Sequence, residues 1–513
     1  MDLDDVAHRL ATALHEAVGA EEAVLRVRVS GGALVLDAWA PARHRVDCGA
    51  AGMRALYDAR PGTYEVRLRA DGSYTFEAGG ALWPVADGWL LFDEDFRYPG
   101  HPLPGMPRPA AAAPTGAPTN PAVLAELTAL CEEFAGHYTR IKGQAPPWPA
   151  GRTEAEISAV EERIGARLPE DLRALYLVAD GDPEETGLLG PYSANPLDQV
   201  VGDHTGGPPG AYGWEDSVSD TGVVFEPPPF GLVKRLSRND WWIPFGSDRA
   251  LNFLCADLDP APGGRAGQVL EYGRDVEGLR YVAPSVTAMI REVVEALRAG
   301  KHKKGGGSAF LRTEVALRDN KFRSHSGVVT GSASAVHEIA DRQLMQHLCL
   351  NDAGTVNLGV IEDFPALREL EVNRATRIIG GLDHLPAIEA LRVRAGEVDL
   401  RAFAGHSLWS LELAGLTRPV AVQELAALPN LTRLAVAEAE VLELERIAEL
   451  PNLRVLSLSR AQVGHLLAAG APFPRLAALQ VPRRTPVAAA AGLWSRFSPE
   501  REAPWYTELT GAV

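Results

Sequence analysis

The chain has 513 residues, 46% of them hydrophobic and 23% charged, an ordinary globular composition but too long for one hydrophobic core. Its formal net charge is −17 and its pI about 5.3. Such a surface repels phosphate backbones and anionic lipids, which argues against nucleic acid and membrane surfaces as partners and suits a basic protein. The same acidity also serves solubility alone.

Cys48, Cys131, Cys255 and Cys349 are scattered and form no CxxC pair, so neither a zinc site nor a disulfide framework is expected. Four reduced thiols fit a cytoplasmic protein. The acidic start Met1-Asp2-Leu3-Asp4-Asp5 lacks the positive charge of a signal peptide. No stretch approaches the roughly 18 apolar residues of a spanning helix. Heavy Ala, Arg, Gly and Pro usage is associated with GC-rich bacterial genomes.

In chain order, residues 1–98 open with a helical stripe, Leu3, Val6, Leu10, Leu14 and Val18, stopped by Gly19. Alternating stretches follow at 33–39 and 63–77, the second with Asp71-Gly72 as a hairpin turn. A small α+β domain is expected. Asp93, Glu94 and Asp95 lack the pattern of a calcium loop and read as a solvated acidic turn. Residues 99–121 hold eight prolines and read as an extended linker.

Residues 122–300 begin with a helix carrying Leu124, Leu127, Leu130 and Phe134. Thr153 and Glu156 make a capping box for a second helix, with Ile157, Val160 and Ile164 as its stripe. Pro169 starts a third, bearing Leu172, Leu175 and Tyr176 and ending at Asp180-Gly181. Short strands are expected at 241–248, 251–260 and 267–272, then a closing helix after Ser285.

The segments EISAVEERIGARLPEDLRALYLVADG, WWIPFGSD, LCADLDPAPGGRAGQVLEY and APSVTAMI, in that order, strongly resemble the SMI1/KNR4 (SUKH) superfamily. The resemblance implies an α+β domain that binds proteins. In bacteria such domains commonly neutralise a cognate toxin by steric occlusion. The sequence departs from many relatives after Asp248, where Arg249-Ala250-Leu251 replaces a glycine run.

After a break at 301–308, residues 309–482 contain an internal repeat. Equivalent apolar residues fall at Leu367, Ile388, Leu408, Leu431, Leu453 and Leu476, in steps of 21, 20, 23, 22 and 23 residues. That period and the LxxLxL core match leucine-rich repeats, whose units must stack because none buries its own leucines. A C-terminal solenoid is expected, with 483–513 as a tail or cap. With leucines inward, Glu371, Arg392, Arg394, Glu412 and Arg433 line one concave surface, where they either bind a partner or are simply solvated.

The aromatics Tyr192, Trp214, Trp241 and Trp242 lie in or beside a Gly/Pro-rich region. Adjacent Trp241 and Trp242 on a strand face opposite ways, so one is a candidate partner anchor unless another element covers the outer face. Asp248 belongs to the same candidate surface or merely forms its turn. No GxSxG, P-loop, GxGxxG or HExxH motif occurs, and no metal or cofactor is expected. The expectation is a non-enzymatic protein-binding protein. Its best reading is immunity against a basic toxin domain, and the alternative is a regulatory scaffold or defence sensor.

Overall fold

The computed structural model describes residues 3–30, 33–40, 62–80, 88–93, 95–206, 222–273, 278–303, 309–313, 325–470, 473–482, 485–497 and 505–513. They divide into two compact units. One contains the described residues up to 96 together with 326–513; the other contains those from 97 to 325.

The first unit begins with helix α1 (Leu3–Val18), then strands β1 (Ala23–Ser30), β2 (Ala33–Trp39), β3 (Gly62–Leu68), β4 (Ser73–Gly79) and β5 (Trp89–Leu91). Strands β2, β1, β3 and β4 form an antiparallel sheet in that order, extended beyond β4 by residues Tyr506–Ala512. Leu10 and Leu14 of α1 pack on one sheet face with Leu25, Val27, Tyr64, Val66 and Phe76, as the helical and alternating stripes require. The Asp71-Gly72 turn forms as read, with Gly72 in the left-handed region and Asp71 accepting from the Ser73 amide at 2.9 Å. The opposite face carries charge. Arg26 donates through Nε to the fully buried Glu65 at 2.8 Å and through Nη2 to the Thr485 carbonyl at 2.7 Å.

The second unit contains α2 (Pro121–Lys142), α3 (Glu154–Ile164), α4 (Glu170–Val178), β6 (Ser193–Ala194), α5 (Leu197–Gly206), β7 (Trp242–Ser247), β8 (Asn252–Asp257), β9 (Gln268–Gly273), β10 (Leu279–Ala283) and α6 (Val286–Arg298), followed by the short pair β11 (His302–Lys303) and β12 (Arg312–Thr313). Its antiparallel sheet runs β10-β9-β8-β7-β6. The capping box forms, since the Thr153 hydroxyl accepts from the Glu156 amide while Glu156 accepts from the Thr153 amide. Ser285 caps α6, whose Val286, Met289, Ile290, Val293, Val294 and Leu297 are all buried. Pro169 falls at the N-cap of α4. A buried ion cluster joins the helices: Arg173, fully enclosed, meets Glu161 at 2.5 Å and also pairs with Glu154.

The proline-rich stretch is extended, as a linker would be, yet it is held on the second unit. Asp240 accepts from the amides of Gly105 and Met106 at 2.9 and 2.7 Å, and Ala112 is buried in the helical core.

Past residue 325 the first unit resumes with parallel strands β13 (Ser326–Thr330), β14 (His347–Asn357), β15 (Glu369–Ile379), β16 (Ala390–Glu397) and β17 (Ser410–Ala414). The two-residue pair β18 (Val420–Ala421) and β20 (Val441–Leu442) lies apart from that sheet. The sheet continues through β19 (Arg433–Glu438), β21 (Val455–Ser457) and β22 (Ala478–Gln480). Helices α7 (Val422–Leu425), α8 (Arg460–Ala469) and α9 (Val487–Phe497) and strand β23 (Tyr506–Ala512) belong to the same unit.

The repeat phase sets the register. Leu348, Leu370, Leu391, Leu411, Leu434, Leu456 and Leu479 are successive partners across the sheet, and all are buried. Each full leucine burial contributes about 1.5–3 kcal/mol. Repeated turns enter the strands. Leu367, Ile388, Leu431 and Leu453 each donate an amide to the carbonyl three residues back, with proline at the second turn position.

The ends of the chain are exchanged within this unit. β5 pairs antiparallel with β22 and closes the parallel sheet, Leu90 opposite Leu479, while β23 closes the N-terminal sheet against β4. Within residues 483–513, read as a tail or cap, Val487, Ala490, Leu493 and Phe497 of α9 pack in the repeat core, and β23 is the sheet edge.

Candidate functional site

Side chains alternate along a strand, so every residue beside a leucine row faces away from the core. Strand pairing aligns Glu371, Arg392 and Glu412 as direct neighbours in one row. Arg394 lies two residues beyond Arg392, and Arg433 stands beside Ser410 in the adjoining row. The five charged residues expected on one surface are thus gathered on the sheet face opposite the leucines.

They form ion pairs. Arg392 Nε lies 3.5 Å from Glu369, Arg394 Nη1 3.0 Å from Glu438, and Arg433 Nη2 3.6 Å from Glu412. Asn373 Nδ2 donates to Glu371 at 2.8 Å and to Asn351 at 3.1 Å. Arg394 and Glu412 are solvent-accessible, with side chains 48% and 35% exposed, whereas Arg433 is only 4% exposed. Arg433 edges a hollow of about 540 Å³ with Glu412, Ser457 and Gln480, over a floor of Ala414, Ala435 and Ala437. Its Nε makes no hydrogen bond among the described residues.

The sequence reading missed β14, the strand beside β15 on this face. His347 faces Glu371 at 3.8 Å, and Asn351 joins the same polar ladder. Met345 occupies the place of Leu367, so Met345, Leu348 and Leu350 repeat the leucine spacing and are all buried. A search that admitted methionine at the first position would have found the unit. Glu438 was missed because an irregularity in β17–β19 pairing sets it opposite Ala414, one position out of phase.

In the second unit the aromatic candidates are held inside. Trp242 is 5% exposed and packs with Val233, Cys255 and Leu270 in a small cluster on the outer sheet face, beneath residues 232–236. Trp241 is partly buried, and its Nε1 donates to the Met106 and Pro107 carbonyls at 3.2 and 3.0 Å. Tyr192 is 8% exposed and its hydroxyl meets Glu271. These three therefore do not present the open aromatic anchors expected of them: residues 232–236 cover Trp242, the proline-rich stretch meets Trp241, and Tyr192 lies in the helix–sheet core. Trp214 lies outside the described residues.

Asp248 is a turn-former. Its carboxylate accepts from the amides of Ala250 at 2.7 Å and Asn252 at 3.0 Å. Arg249 and Leu251, in place of the glycines of many relatives, adopt φ of 60° and 73°, so the turn keeps a glycine-like backbone without glycine. Asp257 is not its neighbour, since it pairs with Trp242 at the other end of the β7–β8 hairpin. Burial raises the Asp257 carboxyl to about 6, although the Gln268 amide and the Asp259 N–H, at 2.8 and 2.9 Å, favour its ionised form.

Cys131, Cys255 and Cys349 are free and buried, and Cys48 lies outside the described residues. Burial raises all three thiols, Cys131 to about 12, which leaves them protonated and unreactive at neutral pH. Among the described residues no cluster of three or more His, Cys, Asp or Glu is arranged to hold a metal ion, and no helix is long and apolar enough to cross a membrane.

Helices and sheets in both units define a protein of mixed α and β structure with an enclosed helix–sheet domain and an open polar sheet face. Residues 151–292, within the enclosed domain, match the SMI1/KNR4 family model (SUKH-1). Domains of that family are protein-interaction modules, and the match fits a protein-binding or regulatory role. The chain is 26% identical over 163 residues to the Schizosaccharomyces pombe protein described as a cell wall biosynthesis/cell cycle regulator, smi1; the alignment covers 29% of this chain and 32% of that protein. The chain thus spans about a third of that relative's length. An internalin C2 structure from Listeria monocytogenes aligns over 31% of this chain and 88% of that one, at 16% identity and a TM-score of 0.17, too low to bear on the fold.

Proposed function

We propose that this chain is a non-enzymatic, cytoplasmic immunity protein, whose SMI1/KNR4 domain and leucine-rich repeat solenoid bind a basic toxin domain and block it sterically. The observation that carries the reading is the gathering of Glu371, Arg392, Arg394, Glu412 and Arg433 on one open sheet face. The Arg394–Glu438 pair is exposed on both sides, so it contributes little to stability and is available to re-pair across an interface, whereas the Arg392 and Arg433 pairs are partly buried. The net charge of −17 favours encounter with a basic partner.

The test is purification of the tagged chain from its native host, with partners identified by mass spectrometry, in parallel with an R392E/R394E variant. A stoichiometric nuclease-like or similarly toxic partner supports the reading. The variant should change that binding by at least about tenfold. Recovery of housekeeping proteins alone sinks the immunity reading and favours a regulatory scaffold, to which the similarity to a fission-yeast regulator already lends support. Unchanged binding by the variant removes this face from the interface.

A further inference from the structure

In an acidic chain, residues 450–499 contain six arginines and no Asp or Glu. Within that stretch α8 and α9 wall an apolar groove of about 580 Å³, lined by Val463, Leu467, Pro482, Pro486 and Leu493. Leu467 is 37% exposed there, unusual for a leucine beside an otherwise buried core. Arg460 and Arg496 also line the groove. Neither meets a carboxylate among the described residues; Arg496 lies over the Phe473 ring at 5.8 Å.

The floor is kept low by two glycines inside helices, Gly464 and Gly492, where an added Cβ meets nothing within 4 Å. A helix-interior glycine costs up to about 1 kcal/mol relative to alanine. Neither position has a positive φ, so no backbone conformation demands glycine. What the glycines do is leave space.

We infer that this groove docks an acidic amphipathic helix of a partner protein. Apolar side chains at i, i+3 or i+4, and i+7 of that helix would fill the space between α8 and α9. Carboxylates flanking the stripe would pair with Arg460 and Arg496. Charge complementarity selects this occupant: the net negative surface repels an acidic segment, whereas the charged residues that line the groove are Arg460 and Arg496. The groove adjoins the hollow beside Arg433, with Val481 and Pro482 lining both, but the inference does not depend on the toxin reading.

The full chain is titrated with three fluorescent sixteen-residue helical peptides that share one leucine stripe and differ in flanking Glu, Gln or Lys. The Glu peptide should bind about tenfold tighter than the Gln peptide, and the margin should shrink as salt rises. Gly464→Leu and Gly492→Leu fill the groove at open helical positions, so each should weaken binding about tenfold while the melting temperature holds or rises. An R460E/R496E variant should come to prefer the Lys peptide.

The proposal is overturned if the Glu peptide fails to bind or binds no better than the Lys peptide. Full binding by the glycine variants overturns it equally. Sedimentation showing self-association that Gly492→Leu abolishes would assign the groove to a second copy instead. Binding to phosphatidylglycerol-containing vesicles lost in the same variant would assign it to a lipid surface.

Discussion

Asp257 lies fully buried beside Gln268 and Asp259, and its carboxyl is raised from 3.8 to about 6. The folded state therefore holds this proton to higher pH than the unfolded chain does. Its contribution to stability is full below about pH 4 and is lost as pH rises toward 6. Asp257→Asn should stabilise the second unit at pH 7 by about 2–3 kcal/mol if Gln268 turns its amide to match, and the advantage should vanish near pH 4. Chemical unfolding at several pH values measures this, and a gain independent of pH would refute the ionisation account. Arg26 makes the converse case. Its loss leaves Glu65 enclosed with Arg67 as its remaining ion-pair partner among the described residues, so Arg26→Met should cost about 3 kcal/mol. An added Glu65→Leu should recover part of it, because the buried charge then goes as well.

At the level of elements, Thr153→Ala removes one half of the α3 capping box and should cost about 1 kcal/mol. Leu411→Ala opens a cavity in the middle of the leucine row and should cost about 2–5 kcal/mol. Both follow from local signals that the sequence displays openly: a hydroxyl three residues before a carboxylate, and a leucine at a fixed period. The same locality explains what was legible. α1, the β3–β4 hairpin, α3, α6 and the repeat phase are written in neighbouring residues. α5 was not, because Leu197, Val200 and Val201 give only a weak stripe interrupted by Gly202. The partners of β5 and β23 were unreadable for another reason, since alternation identifies a strand but not which distant edge it joins. The buried aromatics show the same limit. Opposite orientation for Trp241 and Trp242 follows from strand geometry, but the stretches that cover them are proline-rich segments with no periodic signal.

For the whole molecule, the second unit is inserted between two parts of the first. It owns its core, with the α2, α3, α4 and α6 stripes packed on Ile243, Phe245 and Leu254. A fragment of residues 97–325 should therefore fold alone and unfold cooperatively in calorimetry. Residues 326–513 alone should not, because Leu90 and Phe92 are missing from their core and β22 is left as a bare edge. Addition of residues 1–96 in trans should restore a cooperative transition. A soluble, cooperatively folded 326–513 fragment would contradict this dependence.

The exchange of β5 and β23 also imposes a timetable on synthesis. Phe76 leaves the ribosome hundreds of residues before its partner Leu509. At about 5–20 residues per second, the β4 edge waits on the order of half a minute for the strand that covers it. The inserted unit has all its own strands by then and can fold during the wait. The two flanking parts cannot finish until β22 and β23 are made, so a nascent chain stalled before residue 478 would leave both the β4 edge and β5 unpaired and invite chaperones or proteases.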